Sequence, residues 1–449
     1  MTSTTFREVR TANENDTIWK KVSEDDFRRH LVELEQRTNA IPIDVQVFEL
    51  KNHGTHGLSN QHVLPLSVEQ RTADDFAFLA AVQEGAQSVA AVCLEQYLGK
   101  NQLLKVRFAA VDTFDEKLKF MLENICKLLM RVNTPAQTSQ DDYTEELFRL
   151  VMRHHHSRLL ARLRSVKWSK PRYLAASHKK PLWRDFANVV HRVQHVYPTK
   201  KESVTRRQVE QKLLRLASVY EDFESCEGVE EEQILIRLVR CTYELCQCPC
   251  IQAFASRLEL LRPTAQIAAA LKCLHQLEKI GSYYSISVDL VLTTKQYPVT
   301  FSNIQLEYVV PYASISTSIA YESWANTCHV HAEIQLVVDY DLRHQNLKEN
   351  DGEAVMVWPH VIGTSKYLCY LCYLFIKHHR QYFIANTHGR LYDQWTVPDL
   401  KDYGRAVQQR YADVLKKMDE EVRATSDAVG ERGQWRAEPM TSRRNLLLQ

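Results

Sequence analysis

The chain has no apolar run long enough to cross a bilayer. Its longest, around Tyr367 to Ile376, falls well short of the ~20 residues a spanning helix needs. Nor is there an excess of one charge: 57 Lys and Arg face 55 Asp and Glu, and a formal net charge of +2 names no partner by itself. Met1 to Asp16 is polar, mixed in charge and free of any apolar core, so no secretory signal is expected. No fixed-period repeat is found, which sets aside a repeat array. The eleven cysteines are odd in number. Without an export signal they read as thiols in a reducing compartment, so an intracellular setting is expected, cytoplasm or nucleus, rather than a disulfide framework. What remains is ordinary. With 449 residues, 45% hydrophobic and 25% charged, the chain reads as a globular protein of two or three domains.

Residues 1–70 carry little pattern beyond a short alternating strand over Ile41 to Leu50 and a polar loop from His53 to Gln61. From Asp74, apolar residues recur at three- and four-residue steps (Phe76, Leu79, Ala80, Val82, Ala86, Val89, Val92, Cys93), which predicts a packed helix. Further helices are expected over 112–132, 141–165, 182–197, 204–224, 230–246 and 264–280. After Gly281 the character changes. Residues 283–292 alternate and are rich in β-formers, 294–298 carry a turn, and 299–310 read as the partner strand of a hairpin. A helix from Val330 to His344, a strand over 354–358, a helix from about Lys366 to His379, a strand over 382–386 and a last helix from Pro398 to about Ala424 then give an α/β layered domain. The expected organisation is a poorly defined segment 1–70, a helical domain 71–280, a layered domain 281–424 and a flexible tail 425–449.

Two short motifs in the layered domain carry chemistry: His331-Ala332-Glu333, and Cys369-Tyr370-Leu371-Cys372. One imidazole and two thiolates make three ligands, the number a catalytic zinc takes while keeping its fourth position open for water. Each motif alone is unspecific. The first also reads as the start of an amphipathic helix, the second as an apolar helix whose cysteines act as small hydrophobes. Their separation, however, fits a helix, a return loop and a strand, the crossover of a βαβ unit. Both motifs then fall at helix starts, where free amides and the helix dipole stabilise thiolates.

Histidine, glutamate and then a two-cysteine pair, in that order, form the signature of zinc-dependent nucleobase deaminases. In these residues the sequence resembles the cytidine deaminase-like superfamily, and within it a fungal branch, the OTT-type deaminase-like proteins. The resemblance extends to Ile362-Gly363-Thr364-Ser365-Lys366-Tyr367-Leu368, to Thr387-His388-Gly389-Arg390-Leu391-Tyr392 and to Trp395, and covers about residues 280–425. It implies an α/β/α layered domain with a mixed sheet, and with the mostly helical N-terminal region read from the periodicity upstream the expected class is α+β overall. His331, Cys369 and Cys372 would hold Zn2+, and Glu333 would be the catalytic acid and base. Ser365, Lys366 and His388 would line the substrate pocket. One departure bears on the substrate loop: the superfamily usually has proline directly before the first cysteine, and here Leu368 stands there.

A second feature lies upstream. Residues 153–207 hold fifteen Lys or Arg against only Asp185 and Glu202, with Trp168, Tyr173, Trp183, Phe186 and Tyr197 between them. Cations neutralise phosphates and aromatic faces stack bases, so Arg162, Arg164, Lys167, Trp168, Lys170 and Arg172 are candidate contacts to single-stranded DNA or RNA. The alternative is internal pairing with the acidic run Glu221 to Glu232. His154-His155-His156 lies in an expected helix, where three successive side chains diverge and read as surface residues. Cys241, Cys246, Cys248 and Cys250 cluster at a helix end broken by Pro249 and read as unreacted thiols. His378 and His379 sit where they would compensate a helix dipole. The sequence thus points to a zinc-dependent hydrolytic deaminase acting on a nucleobase, with single-stranded nucleic acid among the expected substrates. An inactive, zinc-stabilised interaction module of the same fold is the alternative.

Overall fold

The computed structural model describes residues 6–13, 16–48, 50, 64–83, 88–99, 102–133, 139–169, 181–346, 355–430 and 433–436. The chain divides into two compact units, and the first is assembled from separate stretches: Met1–Pro135 together with Thr293–Arg443, while Ala136–Leu292 forms the body of the second. In chain order the first stretch contributes α1 (Glu24–Thr38), α2 (Leu66–Ala80), β1 (Ala90–Leu98), β2 (Leu103–Ala110) and α3 (Glu116–Val132). The second unit is helical: α4 (Gln140–His154), α5 (His156–Leu163), α6 (Leu182–Val196), α7 (Ser203–Ser225), α8 (Glu231–Gln247), α9 (Pro249–Glu259) and most of α10 (Ala265–Gln296). The first unit then resumes with β3 (Ile304–Tyr308), β4 (Ile315–Ser316), β5 (Thr327–Val330), α11 (Ala332–Asn346), β6 (Val355–Val357), β7 (Gly363–Thr364), α12 (Tyr370–His379), β8 (Trp395–Thr396) and α13 (Arg405–Val429). No described helix is long and apolar enough to cross a membrane.

The first unit is built on a mixed sheet. β1 and β2 pair antiparallel along almost their whole length, β3 joins β2 in parallel, and β6 and β7 lie in succession along the other edge of β1. A smaller sheet runs β4-β5-β8. Alternate residues of β1 and β2 face different layers, as a strand's period of two requires. Phe108 meets Phe76 of α2 edge to face. Glu95 and Arg107 instead meet Tyr340 and Arg343 of α11 or one another, and Ala91, Cys93 and Ala109 share a core with α11, α12 and α13. Helices on both faces of a mixed sheet give the α/β/α layering within an α+β protein. The small residues at 91, 93 and 109 let α11 come close to the sheet.

Several local expectations change. Residues 283–292 are not a hairpin strand but the interior of α10. Ile280, Tyr283, Ile286, Leu290 and Val291 are all buried, and the intervening serines that create the alternation are buried as well. Ser282 and Ser287 donate their hydroxyls to the carbonyls of Glu278 (2.8 Å) and Tyr283 (3.2 Å), which satisfies them inside a helix. Of 299–310, only Ile304–Tyr308 is strand. The helix read onward from Asp74 stops at Ala80, and Val92 and Cys93 belong to β1. That strand is buried on both faces and shows no alternation that would separate it from a core helix. The helix over 141–165 breaks at His155, which is buried rather than exposed. Among the described residues, neither 41–50 nor 382–386 forms a regular strand; the first contributes a bridge from Gln46 to Thr387. Part of the expected tail is fixed: α13 runs to Val429, Gln434 donates its amide to Arg37, and Arg436 pairs with Asp44. Residues 437–449 lie outside those described.

Candidate metal centre

Both motifs sit where a strand or loop turns into a helix. His331 follows β5 directly, and its carbonyl accepts the amide of Gln335 (3.0 Å), so it occupies the entry of α11 with Glu333 in the first turn. Cys369 is the N-cap of α12, and its sulfur accepts the amide of Cys372 at 3.4 Å. The spacing of the two cysteines follows from this. A cap and the third residue of its helix lie on one side of the first turn, so both sulfurs face the same point.

The three donor atoms converge. His331 Nδ1 lies 3.5 Å from Cys369 Sγ and 3.4 Å from Cys372 Sγ. All three ligand atoms fall within 4.8 Å of one another. A tetrahedral zinc with bonds of about 2.3 Å to sulfur and about 2.05 Å to nitrogen holds those atoms roughly 3.6 Å apart. The donor set and its spacing therefore fit such an ion. Glu333 adds a carboxylate outside the triad, with Oε2 at 3.5 Å from Cys372 Sγ. Among the described residues, this is the one His, Cys, Asp and Glu group of three or more that could hold a metal ion.

Electrostatics divide the two thiols. Burial opposes ionisation of Cys369, but the hydrogen bond from Cys372 and the His331 ring outweigh it and hold this thiol well below its ordinary value. Burial, with the Cys369 charge beside it, pushes Cys372 well up. Burial also raises the Glu333 carboxyl, against the opposing pull of His331. A buried acid of this kind holds its proton more readily than an exposed one.

Gln335, which the sequence did not single out, and the loop that carries the Thr387-His388-Gly389-Arg390 motif fix this geometry. Gln335, fully buried on α11, donates its side-chain amide to the carbonyls of Ala110 (2.8 Å) and Val330 (2.9 Å). It thereby ties the helix entry to the ends of β2 and β5. The loop 386–390 clamps Cys369 from both sides. Leu368 donates to Asn386 (2.9 Å), His388 and the Thr387 hydroxyl donate to the Leu368 carbonyl (3.1 and 2.8 Å), and Tyr370 donates to Arg390 (2.8 Å). Gly389 makes that loop possible. Its φ is +72°, and a Cβ there would stand 2.2 Å from the Ile43 carbonyl oxygen. The Gly in Thr387-His388-Gly389-Arg390 was the available signal.

The remaining expected site residues fall in different places. His388 is buried near the triad; its Nδ1 accepts the Arg390 amide (3.1 Å), and its ring packs edge to face on Tyr392, which also lies beside His331. Burial brings its pKa down to about 4, so the ring is neutral at pH 7. Lys366 is half-buried and acts on His388 electrostatically. Ser365 is buried and bonded to β1: its hydroxyl accepts the Ala90 amide (3.2 Å) and its own amide donates to the Ala90 carbonyl (3.1 Å). It therefore anchors the approach to Cys369.

In the second unit, three of the candidate nucleic-acid contacts already have partners. Arg162 donates to the Lys279 carbonyl and stacks over Tyr283, Arg164 pairs with Asp185, and Lys167 pairs with Glu231 and the Cys226 carbonyl. Trp168 is half-buried, and Lys170 and Arg172 lie outside the described residues. With Arg153–Glu232 added, the basic segment meets the acidic run as internal pairing anticipates.

The His331/Glu333/Cys369/Cys372 segment also has a family counterpart. Residues 330–399 match the family model described as OTT_1508-like deaminase. The match contains all four of these residues together with Ser365, Lys366 and His388. It spans 70 of the 449 residues (399 − 330 + 1), so the deaminase assignment belongs to this segment. No curated protein and no solved structure matches the chain.

Proposed function

We propose that this chain is a zinc-dependent hydrolytic deaminase whose substrate is a nucleobase, free or within a nucleoside or a single strand. The observation that carries the proposal is the convergence of His331 Nδ1, Cys369 Sγ and Cys372 Sγ beside an unligated acid, inside a segment of deaminase character. His331, Cys369 and Cys372 would hold the zinc, which when bound supplies Lewis-acid activation of water at an open fourth position.

The proton traffic falls to Glu333. Its carboxylate takes a proton from the attacking water and passes it to the ring nitrogen next to the amidine carbon. It then delivers the second proton to the departing amine, so that water enters and ammonia leaves. Burial, which favours the protonated carboxyl, suits the moments when Glu333 stores a proton. His388, neutral and held by the Arg390 amide, and Tyr392 stand near enough to His331 to border the bound base. An intracellular setting, cytoplasm or nucleus, belongs to the same proposal and suits eleven free thiols.

The experiment is zinc stoichiometry combined with ammonia release from a panel of bases, nucleosides and single-stranded oligonucleotides. The wild-type chain is expected to bind one zinc and release ammonia. Glu333→Gln should keep the zinc and lose at least about 10²-fold in turnover. Wild-type turnover by Glu333→Gln would overturn the role of the acid. A full zinc complement with no turnover on any member of the panel would favour the inactive interaction module instead.

A further inference from the structure

The thiol cluster at the junction of α8 and α9 is separate from the metal centre and takes no part in the function above. Four cysteines lie there in sequence, but the structure distinguishes them. Cys246 is buried, and burial raises its thiol far above the ordinary value. Cys241, half-buried, sits more than a turn back along α8. Cys248 and Cys250, half-buried as Cys241 is, bring their sulfurs to 3.2 Å across the single residue Pro249.

The bend that sets this distance is held by its backbone. Cys248 is the N-cap of α9 and Pro249 its first residue, a position where the fixed φ of proline suits the helix. The Cys248 amide donates to Leu245 (3.1 Å), and its carbonyl accepts from Ile251 (2.9 Å) and Gln252 (3.1 Å). The Gln252 side chain donates to the Cys246 carbonyl (3.1 Å) and closes the junction from the α8 side. Reacting atoms held about 3–3.5 Å apart are in near-attack range.

We infer that Cys248 and Cys250 form a hydroperoxide-reactive dithiol, a modification site in which Cys248 is the attacking sulfur and Cys250 the resolving one. The charge distribution agrees with that order. Burial opposes ionisation of Cys248, but the Cys250 thiol, the amides of Cys250 and Ile251, and Lys212 hold it below its ordinary value; burial and Cys248 push Cys250 up to about 11. The thiolate is the nucleophile in such chemistry.

In the first step, the Cys248 thiolate attacks one oxygen of hydrogen peroxide. An S–O bond forms, the O–O bond breaks and hydroxide leaves, so the sulfur is oxidised by two electrons to sulfenic acid. In the second, Cys250 sulfur attacks the Cys248 sulfur; the S–S bond forms, the S–O bond breaks, and the Cys250 proton leaves with the hydroxide as water. Two thiols and one peroxide give one disulfide and two waters. A ring closed over one intervening residue is small, so the product should be readily reduced by a monothiol.

The test uses the full-length protein and one equivalent of hydrogen peroxide, followed by mass spectrometry of the tryptic peptide Cys241–Arg257. The expected result is loss of two hydrogens from that peptide, mapped to Cys248 and Cys250 and restored by a monothiol. Cys248 should be modified at least about tenfold faster than the half-buried Cys226 and Cys241. Cys250→Ser should stop at a Cys248 sulfenic acid that dimedone traps, while Cys248→Ser should abolish the rapid phase. Oxidation of Cys226 or Cys241 at the rate of Cys248, or survival of both thiols in the wild-type chain, would overturn the proposal without relying on any variant.

Discussion

Glu95 belongs to the mixed sheet of the first unit, and replacing it by glutamine puts a number on what seats α11. Its side chain is fully buried on β1 and accepts from Arg107 Nε (2.6 Å), Arg343 Nη1 (2.8 Å) and the Tyr340 hydroxyl (3.0 Å) through one oxygen, and from the Tyr97 hydroxyl (2.9 Å) through the other. Glutamine preserves the shape but removes the charge and turns one acceptor into a donor facing other donors. Breaking a buried ion pair by removing one partner costs about 3–5 kcal/mol. Arg343 is 31% exposed and Arg107 keeps Asp339 at 3.4 Å, so the loss should fall near the lower bound, about 3 kcal/mol. A two-unit chain need not unfold in one step, so hydrogen exchange resolved by peptide is the suitable assay. Protection of β1 and α11 should fall roughly 150-fold, with α7 and α8 unchanged. A fall below about fivefold, or an equal fall in α7 and α8, would refute the reasoning. The acid limb supplies a second check. Burial pushes the Glu95 carboxyl up, but Arg343 and Arg107 outweigh it and hold it below the ordinary 4.5. Its contribution is therefore present above that pH and lost as pH falls through the folded value, and Glu95→Gln should flatten that limb.

Other perturbations test other parts. Burial pushes Glu69, which accepts the His360 amide at 3.1 Å, up to about 8 from 4.5. The folded state thus holds a proton that the unfolded state has lost, and stability should fall as pH rises through that window. Glu69→Gln should flatten the decline, and unchanged pH slopes of thermal unfolding would refute this. Gly389→Ala forces a β-carbon towards the Ile43 carbonyl at a φ of +72°; about 2–4 kcal/mol of destabilisation and weaker zinc retention are expected from chemical unfolding and metal analysis. Zinc at about 100 times its Kd should add about 2.7 kcal/mol to the first unit. Chelation should remove that increment from the wild-type chain and change nothing in His331→Ala.

The meeting of His331, Cys369 and Cys372 was legible because it is encoded locally. His331, Glu333, Cys369 and Cys372 are set by two helix entries, and each entry is encoded within a few residues of itself. The sheet beneath them was not legible. β1 is apolar on both faces, so its residues join smoothly onto the helical pattern of α2, and the pairing that reveals it as a strand lies elsewhere in the chain. The serines of α10 misled in the opposite sense, because a buried hydroxyl returning its proton to a carbonyl one turn earlier looks, in sequence, like the outward residue of a strand. Gln335 gave no signal at all. Its role depends on where the carbonyl of Ala110 comes to rest, and only the assembled unit determines that.

The parallel pairing of β2 with β3 joins Leu104–Phe108 to Ile304–Tyr308, so about two hundred residues must leave the ribosome before that edge of the sheet can close. Until then the β1–β2 ribbon offers unsatisfied amides and carbonyls on both flanks, an invitation to non-native strand addition. The helical unit, contiguous in sequence, can mature during the wait. A fragment trimmed to residues 330–399 would inherit the imidazole, the sulfurs and the acid, yet would lack the two longest strands on which α11 rests. Such a piece should be recovered as aggregate, or as a chain that grips zinc loosely, however complete its signature looks on paper.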